Sequence, residues 1–376
     1  MEGEQKTGRL FGKQLLGNLA LSVAAILVAL VIGEVLLRSF FKDQIVLFPR
    51  YHTDAKYGEF TIRRIRPNSV FWHTSVDGTW KFVIDAQGFR NETDFSYDKP
   101  PGIVRVLSLG DSNTQGYEVR QEHTFSAVIE RYLRGNGVRA EVINAGVSGF
   151  GTAEELVFLE NEGLKYHPDV VVLGFYANDF EDNIKAGIFA VEKGVLSIKK
   201  TEHIPGVRIL NALNEFALLR WLSENSYVYS FGLNGIWDYA KELLRTRTKA
   251  SLTTEYAIPV AQVDDYQSEL MGLLIERMYG FCRQNNIRLV ILDIPEVSQG
   301  NELQSSVPPA LYEKMRANSD LFIYSKEALH EYRNVAEFHV PHGHHHISEF
   351  THLIYGVEVA RALANSNKSN KLHSLK

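Results

Sequence analysis

The stretch "LSLGDSNTQGY", Leu107 to Tyr117, sets a serine in a glycine-bracketed turn directly behind an apolar run. An apolar run that ends in Gly110 and gives way to the polar Ser112, Asn113 and Thr114 reads as a strand passing sharply into a helix. Ser112 is then either a nucleophile or the cap of that helix, and the turn alone leaves both open.

Working outward, "VRVLSLG" (Val104 to Gly110) is one of four short apolar runs rich in β-branched residues. The others are "AEVINAG" (Ala140 to Gly146), "DVVVLGFY" (Asp169 to Tyr176) and "IRLVILDIP" (Ile287 to Pro295). Between them lie stretches such as "TFSAVIERYLRGNG" and "TAEELVFLENEGLKY", whose apolar residues recur at helical spacing. Continuous apolar strands separated by helices imply a parallel sheet covered on both faces. The expected fold is therefore α/β, a three-layer α/β/α sandwich. Functional residues of such sheets collect at the carboxyl ends of the strands, where Asp111, Ser112, Gly146 and Asn178 fall.

The N-terminus is of another kind. Residues 14–37 run "QLLGNLALSVAAILVALVIGEVLL" with Glu34 as the one charge. At about 1.5 Å per residue they match the roughly 30 Å hydrocarbon core of a bilayer. One uncleaved transmembrane helix is expected, with residues 1–13 cytosolic. Lys6, Arg9 and Lys13 precede it and Arg38, Lys42 and Arg50 follow, so the basic residues orient it only weakly. Residues 38–101, with β-like pieces "EFTIRRIR" and "TWKFVID", read as a stalk or apron. The catalytic domain is expected over 102–364, with a helical insertion at about 185–262, and the polar tail over 365–376. The insertion reads as a lid, as an apron against the membrane, or as decoration.

Composition narrows the functions. The chain has 376 residues, 45% hydrophobic and 23% charged, and a formal net charge of -5. With no long basic block, nucleic acid is not an expected partner. Cys282 is the single cysteine, which excludes an internal disulfide framework and a cysteine-based zinc site. No cofactor is expected.

A serine hydroxyl needs a base to take its proton and preorganised donors to meet the oxyanion it creates. Gly146 in "INAGVSGFG" is placed to offer a backbone N–H and Asn178 in "GFYAND" a side-chain amide; either also fits a plain turn or cap. Taken together, "GDSNTQG", "NAGVSGFG" and "YAND", in that order at strand ends, resemble the SGNH (GDSL-type) hydrolase superfamily. "IDAQGFRNE", Ile84 to Glu92, also resembles the lead-in of membrane-anchored bacterial members. The resemblance implies Ser112 as nucleophile and first oxyanion donor, Gly146 as second, Asn178 as third, and Asp111 in support.

The C-terminal block departs from the family pattern. "EFHVPHGHHHISEFTHLIYGVEVARAL" makes His346 the best-aligned base, His344 the second choice and His345 the third, and the Asp expected just before the base is missing. A backbone carbonyl, a neighbouring His, Glu337 or Glu349 are the candidates to orient the ring. His339, His342, His344, His345 and His346 also raise the possibility of a metal site, which no Cys or nearby Asp completes.

The expected function is a membrane-anchored serine esterase acting through an acyl-serine on O-acyl esters. By resemblance to anchored relatives, its substrate is an acylated envelope or extracellular polysaccharide, with the site in the periplasm or outside the cell. The competing readings are O-acetyl transfer from the same site, lipid ester hydrolysis, and a non-catalytic glycan-binding protein.

Overall fold

In the computed structural model the runs read as strands lie side by side in one parallel sheet. The structure describes residues 2–42, 45–47, 49, 51–204, 206–233, 235–236, 260–296, 303–342 and 345–373.

Helix α1, Glu2–Phe40, carries the apolar run, and Gln14–Phe40 within it has mean hydropathy 2.6 and no buried residue. By length and composition it is the one helix among the described residues able to cross a membrane.

The apron is not a loose stalk. β1 (His52–Tyr57) and β2 (Phe60–Ile65) pair antiparallel, as do β3 (Val70–Ser75) and β4 (Gly78–Val83). Their inward residues, among them Tyr57, Phe71 and Phe82, join the same buried cluster as the main sheet. The β-like pieces that became β2 and β4 were legible in sequence; their docking on the domain was not, because a strand's local pattern does not name what buries it.

The domain proper begins with β5 (Val104–Gly110) and α2 (Ser112–Gln115). Then come α3 (Phe125–Gly135), β6 (Ala140–Asn144), α4 (Thr152–Asn161), β7 (Val170–Phe175) and α5 (Asn178–Ala186). Where a helical insertion was expected, the chain first makes a hairpin, β8 (Phe189–Glu192) with β9 (Val195–Ile198). Next, β10 (Glu202–His203) adds to β2 in parallel. Helices α6 (Val207–Leu213), α7 (Ala217–Asn225) and α8 (227–233) follow. Residues 237–259 of the expected insertion lie outside the described residues.

The chain closes with α9 (Asp265–Gln284), β11 (Arg288–Asp293), β12 (Pro295–Glu296), β13 (Gln304–Ser305), α10 (Pro309–Ala317), β14 (Leu321–Ile323), α11 (Ser325–Ala328) and α12 (Glu349–His373). The sheet order is β14-β11-β7-β5-β6. Strand alternation divides the core into two layers. Leu107, Ile143, Val171, Leu173, Leu289 and Ile291 face α4, α9 and the apron, while Val106, Val142, Val170, Val172, Val290 and Leu292 face α3 and α12. A sheet buried on both faces leaves its carboxyl edge as the place where loops gather, and β5, β6 and β7 all end there.

Candidate active site

The turn between β5 and α2 is built for close approach. Gly110 has φ +149°, and a Cβ there would lie 2.0 Å from Thr114 Oγ1. Asp111 caps α2, its Oδ1 accepting from the N–H of Asn113 at 2.8 Å. Gly116 ends the helix in the left-handed region at φ +86°. Ser112 therefore opens a single helical turn clamped at both ends.

His346, just before α12, places Nε2 2.9 Å from Ser112 Oγ. The loop that brings it is tied back to the same turn, for Ile347 N–H donates to Asn113 Oδ1 at 3.2 Å. His346 Nδ1 lies 3.1 Å from Glu118 Oε2. Since a carboxylate can only accept, Nδ1 carries a proton toward Glu118, and Nε2 is the ring nitrogen that faces the serine hydroxyl. All three residues are buried.

The carboxylate that meets His346 Nδ1 is that of Glu118, not of Glu337 or Glu349. Glu349 pairs instead with Arg120 at 2.5 Å and His123 at 2.7 Å, and Glu337 is exposed. Glu118 stands six residues after Ser112, in the left-handed region at φ +60°, a conformation costly for a residue with a Cβ. The apron holds it there. Buried Arg90, from the "IDAQGFRNE" stretch, donates to the carbonyls of Gln115 (2.9 Å), Gly116 and Val119 (2.8 Å), bracketing Glu118 on both sides. Its guanidinium lies 3.7 Å from the Phe82 ring centroid, and burial lowers its pKa to about 9. On the far oxygen, His73 of β3 brings Nε2 to 3.7 Å from Glu118 Oε1. Burial works to raise the Glu118 pKa, but the two imidazoles outweigh it and hold the group well below the usual carboxylate range. Burial in turn keeps the His73 pKa low. Tyr117 fills the gap, stacked 5.5 Å from His346 and edge-on at 5.4 Å to His73.

The other expected residues are close by, each with a present partner. Gly146 passes directly over α2, where a Cβ would fall 2.4 Å from Gln115 N, and its own N–H donates to Asn144 Oδ1 at 3.2 Å. Asn178 donates through Nδ2 to Asp111 Oδ2 at 3.0 Å and to Asp182 Oδ2 at 3.2 Å. Behind them Asp111, Glu155 and Asp179 lie fully buried, and burial together with mutual repulsion holds Glu155 and Asp179 well above the carboxylate range.

Of the histidine run, His344 and Gly343 lie outside the described residues. His345 Nδ1 stands 3.3 Å from the Val340 carbonyl, His342 pairs with Asp77 at 2.8 Å, and His339 Nε2 bonds the Pro295 carbonyl at 2.9 Å. Among the described residues no three His, Cys, Asp or Glu side chains are grouped to hold a metal.

Sequence reasoning missed Glu118, His73 and Arg90. The signal available was a carboxylate six positions after the serine, but nothing local says that it turns back toward a histidine 228 residues later.

Residues 108–304, more than half of the chain, match the GDSL-like lipase/acylhydrolase family. Among solved structures, the chain is similar to a lipase/acylhydrolase from Enterococcus faecalis. Identity is 18% and TM-score 0.40, over 70% of this chain and 96% of that one. It is also similar to a two-domain esterase active on acetylated mannans (10%, TM-score 0.37, 70% and 50%) and to an acetyl xylan esterase, AlAXEase (14%, TM-score 0.36, 69% and 99%). No curated protein sequence matches the chain.

Proposed function

The chain belongs to the GDSL-like lipase/acylhydrolase family and is a serine ester hydrolase, and we propose that Ser112, His346 and Glu118 form its catalytic triad. The line Ser112 Oγ, His346 Nε2, His346 Nδ1, Glu118 Oε2, at 2.9 and 3.1 Å, carries this reading. As Ser112 Oγ attacks an ester carbonyl carbon, its proton passes to Nε2 and the imidazolium is stabilised by Glu118. The same proton then goes to the leaving alcohol as the tetrahedral intermediate collapses to acyl-Ser112. Water, deprotonated by Nε2, releases the acid and restores the hydroxyl.

The oxyanion is assigned to the N–H groups of Ser112 and Gly146 and to the Asn178 amide. For the last two this means exchanging Asn144 Oδ1 and the Asp111 and Asp182 carboxylates for the substrate oxygen. Asp111 is a positioning residue, since it caps α2 and holds Asn178.

The substrate is proposed to be an O-acyl, above all an O-acetyl, ester of envelope or extracellular polysaccharide, reached by a domain anchored through α1 on the outer side of the membrane. The enclosure of Ser112 and His346, 1% and 2% exposed, favours a short acyl group. The test compares acetate release from O-acetylated polysaccharide with hydrolysis of p-nitrophenyl acetate and palmitate, alongside fluorophosphonate labelling of Ser112. The proposal expects labelling and preference for acetyl esters. A higher kcat/KM on palmitate reassigns the substrate to lipid, and absence of labelling leaves only glycan binding.

A further inference from the structure

Helices α7 and α8 are locked onto α1 at the level where its apolar run ends. Glu34, the one charge in 14–37, accepts from the N–H of Tyr227 at 3.0 Å, the N–H of Val228 at 2.9 Å and the hydroxyl of Ser226 at 2.9 Å. Arg38 pairs with Glu34 at 2.7 Å, donates to the Asn225 carbonyl and lies 4.9 Å from the Tyr227 ring centroid. One residue below Glu34, a Cβ on Gly33 would touch Val228 Cγ2 at 3.4 Å. The carboxylate thus caps the start of α8.

The segment from α6 to just past α8 turns large apolar side chains outward. Ile209, Phe216, Leu218, Trp221, Phe231 and Ile236 are each 58–70% exposed, within a stretch of 28 residues. Isolated exposed apolar residues are ordinary; this density, with Trp and Phe among them, marks an interaction surface. What it meets follows from its place. It continues, through the Glu34 contacts, the lipid-facing surface of α1, whose side chains from Gln14 onward are unburied. Aromatic and aliphatic side chains at the end of a membrane span suit the headgroup boundary.

We propose that α6, α7 and α8 form an interfacial platform whose outward apolar side chains enter the bilayer surface beside α1. The inference rests on the reading that α1 spans the membrane. The platform is also fastened to the active-site scaffold. Tyr51 donates to Glu224 at 3.0 Å, Arg66 pairs with Glu215 at 3.1 Å, and α7 packs against β3, the strand that carries His73. The platform thereby ties the catalytic domain to the membrane surface beside α1.

The test uses full-length protein in phosphatidylethanolamine/phosphatidylglycerol vesicles, labelled with an environment-sensitive fluorophore at one introduced cysteine; native Cys282 is buried. The four variants are Leu218→Cys, Phe231→Cys, Val335→Cys as an exposed position elsewhere, and Val23→Cys within α1. The expectation is blue-shifted emission at 218 and 231, most of it lost to lipid carrying a nitroxide near the headgroup, with position 335 unaffected and position 23 quenched by a nitroxide deep in the acyl chain. If 23 is quenched while 218 and 231 behave like 335, the platform is refuted and the anchor stands. If 23 itself is not quenched, the anchor reading falls and takes the platform with it. Labels at 218 and 231 that are shielded from aqueous iodide yet untouched by either nitroxide mean that protein covers the face, which also overturns the proposal.

Discussion

Replacing Glu118 by Gln keeps the shape of the side chain and removes its charge, and the structure sets the size of the expected loss. The carboxylate oxygen is 3.1 Å from the imidazole nitrogen it supports, with both groups buried. At an effective dielectric constant of about 20, a unit charge pair at that distance interacts by about 5 kcal/mol, or roughly four powers of ten in rate if the imidazolium is fully formed in the transition state. An amide can still accept from Nδ1–H through its oxygen, so ring orientation is largely kept and the lost charge dominates. The assay is kcat on p-nitrophenyl acetate, with thermal unfolding to verify that the variant is folded. The expectation for Glu118→Gln is a fall in kcat of about 10³- to 10⁴-fold with KM little changed. Glu118→Asp, whose carboxylate is withdrawn by one methylene, falls between. A folded Glu118→Gln enzyme within tenfold of the unsubstituted protein would refute the assignment of Glu118 as the supporting carboxylate.

Other substitutions probe neighbouring parts of the site. Ser112→Ala and His346→Ala should be about equally inactive, and the double variant no worse, because the two act as a unit; single-turnover rates would reveal any additivity. His73→Phe suits the aromatic surroundings of Trp80, Phe82 and Tyr117 and removes one of the two imidazoles holding the Glu118 pKa down. Glu118 then protonates at higher pH, and the titration of its carboxyl, followed by infrared difference spectroscopy, should move upward in pH in the variant. Asn178→Ala should lower kcat by roughly 10²- to 10³-fold on the same ester. Gly146→Ala drives a Cβ into the backbone of Gln115, 2.4 Å away, and should cost about 1–3 kcal/mol in denaturant unfolding as well as activity.

Acid stability offers an independent check of the core behind the site. Buried His352 accepts from the N–H of Phe125 at 3.0 Å, and burial, followed by the Arg90 charge, lowers its pKa from 6.5 to about 3. A depressed histidine stabilises the fold fully above its unfolded value and loses that contribution as pH falls from 6.5 toward 3. Between about pH 7 and pH 4.5 this amounts to about 2–3 kcal/mol. His352→Gln should flatten the acid side of the stability profile by that amount in urea unfolding, and equal slopes in the two proteins would contradict the burial of a neutral ring.

The sequence by itself carried whatever depends on neighbours along the chain. Apolar runs of four to seven residues alternate with helical periodicity, and that pattern suffices for a parallel sheet with helices on both faces because each element's buried side repeats at its own period. "GDSNTQG" is likewise local, its glycines and Asp111 cap shaping one turn, and His346 could be aligned because it precedes a helix of recognisable pattern. The supporting carboxylate was sought near the histidine for the same reason, by local spacing. Only the tertiary structure brings the Glu118 carboxylate to His346 Nδ1. Its role depends on a left-handed backbone at one residue, on Arg90 drawing three carbonyls around that residue, and on a loop that arrives from 228 positions away. The apron changed meaning in the same way. Two of its strands were legible as β-like pieces, but that the apron meets the catalytic domain, and presents His73 to Glu118, is set by packing between segments far apart in sequence, where side-chain periodicity has no means of naming its partner.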